Sequence, residues 1–450
     1  MPSLDYYLYK IFLIYQEVFN KMEHKKVKFP IASVKGMRDI IDNQYYQFQG
    51  FFEKAQEIAV YYGFKPIETP MVEDENVFTS SIGVGTDIVD KEMYTLKTKG
   101  GDHLALRPEH TAGLMRSYIE KGMQALPQPV MFYSYGPVFR HDNPQKGRYR
   151  QFWQFDMDIL GSDKSILDAL VIKTAMTVLE EAGAKDLSVE INSIGDKECR
   201  GSYIKELTSF YKKNINFLPA IDKERLKNNP LRILDSKEEK TIELNQSAPE
   251  TLSHLCPDCK KHFKEVLEYL EESGIPYSIN KCLVRGLSYY TRTVFEIVQE
   301  DAETGRKMAI TAGGRYDYLG KQLGSKKDIP AVGISIGVDR IVESSWFANL
   351  SPRIIKKPKI YFIQLGFDAK LKSLNVIEIL RKGKIPIAQS IAKDNLSAQL
   401  ATAEKMGMEY AIIFGQKEAL ENSVIFRNMN TRSQETIKID KLLEYIKSIK

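Results

Sequence analysis

Between Gly136 and Gly161 the chain reads GPVFRHDNPQKGRYRQFWQFDMDILG, a stretch that gathers Arg140, Arg148 and Arg150 with Gln145 and Lys146 and also carries Phe152, Asp156 and Asp158. A guanidinium offers a planar fork of donors and stays charged when partly buried, so arginines collected on one unit suit phosphate. The plain alternative is a solvated basic surface loop. A second stretch, LVRGLSYYTRTVFE from Leu283 to Glu296, holds Arg285 at a glycine turn ahead of strand-forming residues. Read alone, Arg285 is equally well a structural arginine, and Tyr289 and Tyr290 an ordinary strand pair with one ring in and one out. A third candidate is Cys256-Pro-Asp-Cys259 with His262 and the distant Cys199. One CxxC without a second close pair is weak evidence for zinc, so these cysteines are expected to be buried thiols and no residue is assigned to a metal.

The elements that must position these groups can be read coarsely. Gln44 to Tyr62 carries Phe48, Phe51, Phe52, Ala55, Ile58 and Ala59 at helical spacing and stops at Gly63. Val130 to Phe139 and Phe152 to Leu160 read as two antiparallel strands joined by the basic loop. From about Gly201 to Glu272 the sequence turns helical and highly charged, broken at Pro219, Pro230 and Pro249, as expected of an inserted subdomain. Strand character returns over Leu283 to Val298, and the glycine-rich segments near Ala312 and Ala331 follow. Proline and lysine punctuation from Ser351 to Pro358 sets off a last domain, where alternating strand and helix patterns predict a small α/β unit with a mostly parallel sheet.

Bulk properties narrow the function class. With 450 residues, 43% of them hydrophobic and 27% charged, the chain has the composition of a globular protein of two or three domains. Net charge is only +5, but from Ser351 onward 18 Lys and Arg face 10 Asp and Glu, so the last domain carries more than the whole surplus and suits an anionic partner. Four cysteines are too few for a disulfide framework, which fits a reducing compartment. The apolar run near Ile11 is too short to span a membrane and lacks a cleavage site. Residues 1–24 read as an optional helical extension, with Met22 as an alternative start, and a cytoplasmic location is expected.

The Gly136–Gly161 stretch resembles motif 2 of class II aminoacyl-tRNA synthetases, and its form FRHDNPQKGRYRQFWQFDMD is similar to the histidyl-tRNA synthetase version in particular. LVRGLSYYTRTVFE resembles that family's RGLDYYTRTVFE, AGGRYDYLGKQLG (Ala312 to Gly324) its glycine-rich companion, and AVGISIGVDR (Ala331 to Arg340) class II motif 3. LRPEHTAG (Leu106 to Gly113) looks like the family's RPEGTA loop and KGMRDI (Lys35 to Ile40) its KGTRDI. The motifs run in family order from about Val34 to the C-terminus.

The resemblance implies an α+β catalytic domain over residues 25–350, built on an antiparallel sheet flanked by helices with an insertion at about 201–272, then an α/β anticodon-binding domain over 356–450. It implies ATP-dependent activation of histidine and transfer to tRNA(His), with Mg2+ accompanying the nucleotide and a homodimer formed through residues 44–70. Arg140 and Arg285 would be catalytic, holding the α-phosphate where charge develops in the pentavalent transition state. Arg148 and Arg340 would grip the γ-phosphate, Phe152 would stack on adenine, and Asp142 would stand beside the adenine amino group. Asp158 and Tyr290 would bind the imidazole, Tyr289 would line the same pocket, and Glu109, Thr111 and Gln154 would hold the α-ammonium. The motif 2 loop around Asn143 to Tyr149 is the candidate for contact with the tRNA acceptor end.

Two positions depart from the family pattern. Ser288 replaces the aspartate of RGLDYYT, losing a charge near Arg285. His110 replaces the glycine of RPEGTA, with a strain cost if that glycine needs an unusual backbone angle. The rival function class is a catalytically silent relative that senses histidine or uncharged tRNA. Such relatives tend to lose the arginines, and Arg140, Arg285 and Arg340 are all present here.

Overall fold

A computed structural model of the chain describes residues 31–83, 86–145, 147–300, 307–353 and 357–449. The extension expected over residues 1–24, and Lys146, lie outside them. The chain divides into two compact units, Met1–Pro352 and Arg353–Lys450.

In the first unit the strands are β1 (Lys65–Pro66), β2 (Val72–Asp74), β3 (Thr95–Lys97), β4 (His103–Leu106), β5 (Val130–Phe139), β6 (Gln151–Leu160), β7 (Leu187–Ser193), β8 (Tyr277–Ile279), β9 (Thr291–Glu300), β10 (Lys307–Arg315) and β11 (Ala331–Gly337). Eight of them form one sheet in the order β1-β5-β6-β11-β10-β9-β7-β8. Its six inner strands pair antiparallel, and only the short edge strands β1 and β8 pair parallel. This is the antiparallel sheet with flanking helices that the motifs implied. The remaining strands form a small sheet in the order β2-β4-β3.

Strand periodicity explains how the sheet separates core from site. Side chains alternate across a strand, so β6 sends Phe155, Met157 and Ile159 into the main core, where they meet Phe51, Ala55 and Ile58 of the helix Asp42–Tyr61 and Val171, Ala175 and Val178 of the helix Ile166–Glu181. The alternate residues Gln154, Asp156 and Asp158 face the other way. A second core on that side takes up Phe78, Leu114, Tyr289, Tyr290 and Tyr316 together with Tyr203, Leu207 and Tyr211 of the insertion.

Two features differ from the sequence reading of this unit. The expected insertion runs to about residue 272, but the helix Pro257–Glu272 packs Phe263, Val266 and Leu270 into the main core, so the excursion closes before it. The strand expected from Leu283 begins only at Thr291. Ahead of it the backbone finds partners outside any ladder: Asn192 Nδ2 donates to Leu283 O at 3.1 Å, Ser288 N to Ile82 O at 3.1 Å and Arg200 Nη2 to Tyr290 O at 2.7 Å.

The second unit holds β12 (Ile360–Gln364), β13 (Ile387–Gln389), β14 (Tyr410–Phe414), β15 (Ser423–Asn428) and β16 (Gln434–Lys438) in the order β13-β12-β14-β15-β16. The expected mostly parallel sheet is corrected to a mixed one. β12 pairs parallel with β13 and β14, but β14–β15 and β15–β16 are antiparallel. The missed element is a hairpin whose turn is fixed by Asn428, its Oδ1 accepting from the N–H groups of Asn430 and Thr431.

Candidate active site

The polar face of β6 lies beside β11, where Gly337 sits opposite Gln154, Ser335 opposite Asp156 and Gly333 opposite Asp158. Gly333 is required by close approach, because a Cβ there would stand 2.1 Å from Asp158 Oδ1. Over this face opens a cavity of about 390 Å³, lined by Arg140, Arg148, Arg285 and Arg340 and by Glu109, Asp142, Phe152, Gln154, Tyr289 and Tyr290. Ten of the twelve residues assigned from sequence therefore share one cavity wall. Thr111 and Asp158 do not line it.

Two of the arginines are held by backbone carbonyls and two by carboxylates. Arg140 donates Nε to Pro108 O at 2.8 Å and lies 5.4 Å from the Phe152 ring. Arg148 pairs Nε with Asp142 Oδ2 at 2.7 Å, and its side chain is 46% exposed, so this contact is weak and exchangeable. Arg285 pairs with Glu296 and lies 5.7 Å from the Tyr290 ring. Arg340 donates Nη1 to Ala309 O at 3.0 Å. The basic loop is itself clamped at the cavity's edge: Arg38 donates to Tyr149 Oη at 2.9 Å and Asp339 Oδ1 at 2.8 Å, and Asp339 Oδ2 accepts the Trp153 N–H at 2.6 Å.

The opposite end is buried and acidic. Glu109 accepts the Thr111 N–H at 2.6 Å and the Ala112 N–H at 2.8 Å, so its carboxylate closes the N-terminus of the helix Thr111–Glu120, and Thr111 is held there. Asp158, 2% exposed, lies in the sheet floor and accepts from Tyr316 Oη at 2.5 Å. Burial, with a smaller push from the Glu109 charge, lifts its carboxyl to about 7 against the Tyr316 bond. Tyr289 and Tyr290 do not alternate in and out as a strand pair would. Both are buried, 4.8 Å apart, with Tyr289 5.7 Å from Tyr316.

Sequence reading missed Glu296, Tyr316 and Arg38. All three stand inside the quoted motifs, and the signal that could have found Glu296 was an acid closing the same segment that Arg285 opens. Neither departure takes a left-handed backbone. His110 has φ −94° and ψ −30°, an ordinary helical conformation, so no strained glycine angle is needed. Its ring is buried and held neutral, its pKa depressed to about 3 by burial and by Arg107. Ser288 packs against Gly83, where a Cβ would meet its Oγ at 2.9 Å.

An antiparallel sheet carrying converging arginines above a buried carboxylate, followed by a separate mixed α/β unit, defines the two-domain architecture of a class II aminoacyl-tRNA synthetase. Residues 36–341 match the family model of histidyl-tRNA synthetase, and residues 359–449 match an anticodon binding domain. The chain is 40% identical to a histidine–tRNA ligase of Dehalococcoides mccartyi, over 92% of this chain and 99% of that protein. It is also 40% identical to one from Thermodesulfovibrio yellowstonii, over 92% and 97%. The crystal structure of apo S. aureus histidyl-tRNA synthetase superposes with a TM-score of 0.75 at 29% identity, covering 93% of this chain and all of that one. The chain belongs to the histidyl-tRNA synthetase family.

Proposed function

We propose that the protein is a histidine–tRNA ligase, which activates L-histidine with ATP and transfers the histidyl group to the 3′ end of tRNA(His). The observation that carries this reading is the convergence of four arginines with Glu109, Gln154 and two tyrosines around one cavity. In the first step a histidine carboxylate oxygen attacks the α-phosphorus, the bond to the bridging oxygen breaks, and pyrophosphate leaves with the electron pair. A hydroxyl at the tRNA 3′ end then attacks the acyl carbon and AMP leaves.

Arg140 and Arg285 hold the α-phosphate and stabilise the charge that gathers on it. The Pro108 carbonyl aims Arg140 and Glu296 aims Arg285, so little reorganisation is left for the transition state. Arg148 and Arg340 take the γ-phosphate, Arg148 leaving Asp142, which turns to the adenine amino group above Phe152. Glu109, Thr111 and Gln154 take the α-ammonium. Asp158 and Tyr290 take the imidazole beside Tyr289, and a site built to pair with both ring nitrogens rejects apolar amino acids by roughly 10⁴-fold or more.

Magnesium enters with the nucleotide. Of the four carboxylates lining the cavity, Glu109 keeps its backbone N–H groups, Glu296 keeps Arg285 and Asp339 keeps Arg38, while Asp142 exchanges Arg148 for the adenine amino group. Phosphate oxygens and water would therefore hold the ion, and its charge would offset that of the distal phosphates. The basic final unit takes the anticodon. A homodimer forms through residues 44–70, supported by the exposed apolar side chains Tyr45, Val60 and Tyr61 of the helix Asp42–Tyr61. A cytoplasmic location accompanies this reading, and among the described residues no helix is long and apolar enough to cross a membrane. The experiment is aminoacylation of tRNA(His) transcript with labelled histidine: acid-stable charging is expected, and a folded protein that binds histidine but charges nothing would favour the silent sensor.

A further inference from the structure

Outside the active site, the side chains of Asp196, Cys199, Cys256 and Cys259 bring one ligand atom each to within 4.8 Å of one another. We propose that these four residues bind a structural zinc ion at the neck of the inserted helical subdomain.

The donor set is that of a closed site. Three thiolates with one carboxylate suit a soft-to-borderline divalent ion, and four protein ligands leave no open position. Zinc–sulfur bonds of about 2.3 Å set donor separations of about 3.8 Å in a tetrahedron, so the cluster needs only a small contraction. Local structure prepares it. Gly195, at φ +65°, forms a knuckle that no other residue could make, since a Cβ there would stand 2.6 Å from Cys199 Cβ. Asp196 divides its oxygens: Oδ1 accepts the N–H groups of Glu198 and Cys199 at 3.0 and 3.2 Å, while Oδ2 turns to Cys256 Sγ at 3.8 Å, with Arg292 at 3.9 Å. Asp196 is the N-cap of the helix Lys197–Lys213 and Cys256 that of the helix Pro257–Glu272, so two positive helix ends meet at the cluster.

Cys199 and Cys259 are 2% and 1% exposed. His262, three residues beyond Cys259, is not a ligand, because its Nε2 lies 3.2 Å from Asp168 Oδ1. The pairing also has an architectural reason. The Cys256 N–H reaches Cys199 Sγ at 3.1 Å across 57 residues of sequence, so the ion fastens the entry of the insertion to its exit. The same knuckle supports the histidine pocket from behind, with Thr291 Oγ1 donating to Gly195 O at 3.1 Å and Arg200 to Tyr290 O.

The test is metal content of the full-length protein purified under reducing conditions, with and without Cys256→Ser. Serine is a good N-cap, so this variant keeps the helix start and removes only a thiolate. Wild type is expected to hold about one zinc per chain by elemental analysis and, after exchange with cobalt, to show thiolate charge-transfer and tetrahedral d–d absorption. Cys256→Ser is expected to bind zinc at least about tenfold more weakly at unchanged helix content. Reduced wild-type protein that takes up neither zinc nor cobalt would overturn the proposal, whether its thiols prove free or oxidise to a disulfide. So would a folded Cys256→Ser variant that binds zinc as tightly as wild type.

Discussion

Gly333→Ala perturbs histidine recognition without removing any group assigned to a ligand. The new Cβ would stand 2.1 Å from Asp158 Oδ1, and real contacts of this kind do not fall below 3.0 Å, so the carboxylate must retreat by about 0.9 Å. Retreat is costly here. Asp158 is 2% exposed and bonded to Tyr316, and the β11 backbone is fixed by its ladder to β6, with Met157 O only 3.1 Å from the added carbon. A misplacement of about 1 Å can cost on the order of a hundredfold. Loss of one charge-assisted hydrogen bond, worth about 1.5–3 kcal/mol, brackets the same effect at roughly 10- to 150-fold. In histidine-dependent exchange of pyrophosphate into ATP, the KM for histidine is therefore expected to rise by that factor while the KM for ATP stays put. A folded Gly333→Ala protein with an unaltered KM for histidine would show that Asp158 does not recognise the imidazole.

Further outcomes follow from the same packing. Tyr316 donates to Asp158 and so favours its charged form; with the carboxyl already near 7, Tyr316→Phe moves that value upward. The pH at which kcat/KM for histidine rises should shift to the alkaline side of wild type, measured on the same substrate so that its own titration cancels, and coincident profiles would contradict this. Arg315, fully buried, donates to Asp168 at 2.6 Å and Asp317 at 3.1 Å, so Arg315→Leu leaves buried carboxylates uncompensated and should destabilise the catalytic unit by about 3–5 kcal/mol in thermal denaturation. An unchanged melting midpoint would refute that. Gly201, exposed in the helix Lys197–Lys213 with open space where a Cβ would stand, should tolerate Gly201→Ala with a gain of about 0.5–1 kcal/mol, and a loss would argue against helix there.

Motifs with local periodicity were legible in the sequence. The helix stopped by Gly63 and the strand pair around the basic loop could be read because one element's pattern decides each of them, whereas the arginines of the cavity were legible only through the family resemblance. What stayed hidden depends on register and on contacts across the chain. Which face of β6 carries Asp158 is decided by the core that Phe155 and Met157 enter, and its partner Tyr316 lies 158 residues away. Glu296, Arg38 and Asp196 likewise act through distant partners. The β15–β16 hairpin was missed for a local reason, since its turn rests on one asparagine side chain rather than a glycine signal.

The measurement that goes most directly to the central claim is exchange of labelled pyrophosphate into ATP with each standard amino acid in turn, for wild type and for Arg285→Ala. Exchange with histidine alone, reduced by roughly a hundredfold or more in the variant, is the expected result. A folded wild-type protein that binds histidine yet exchanges nothing would contradict the assignment of the cavity to adenylate formation.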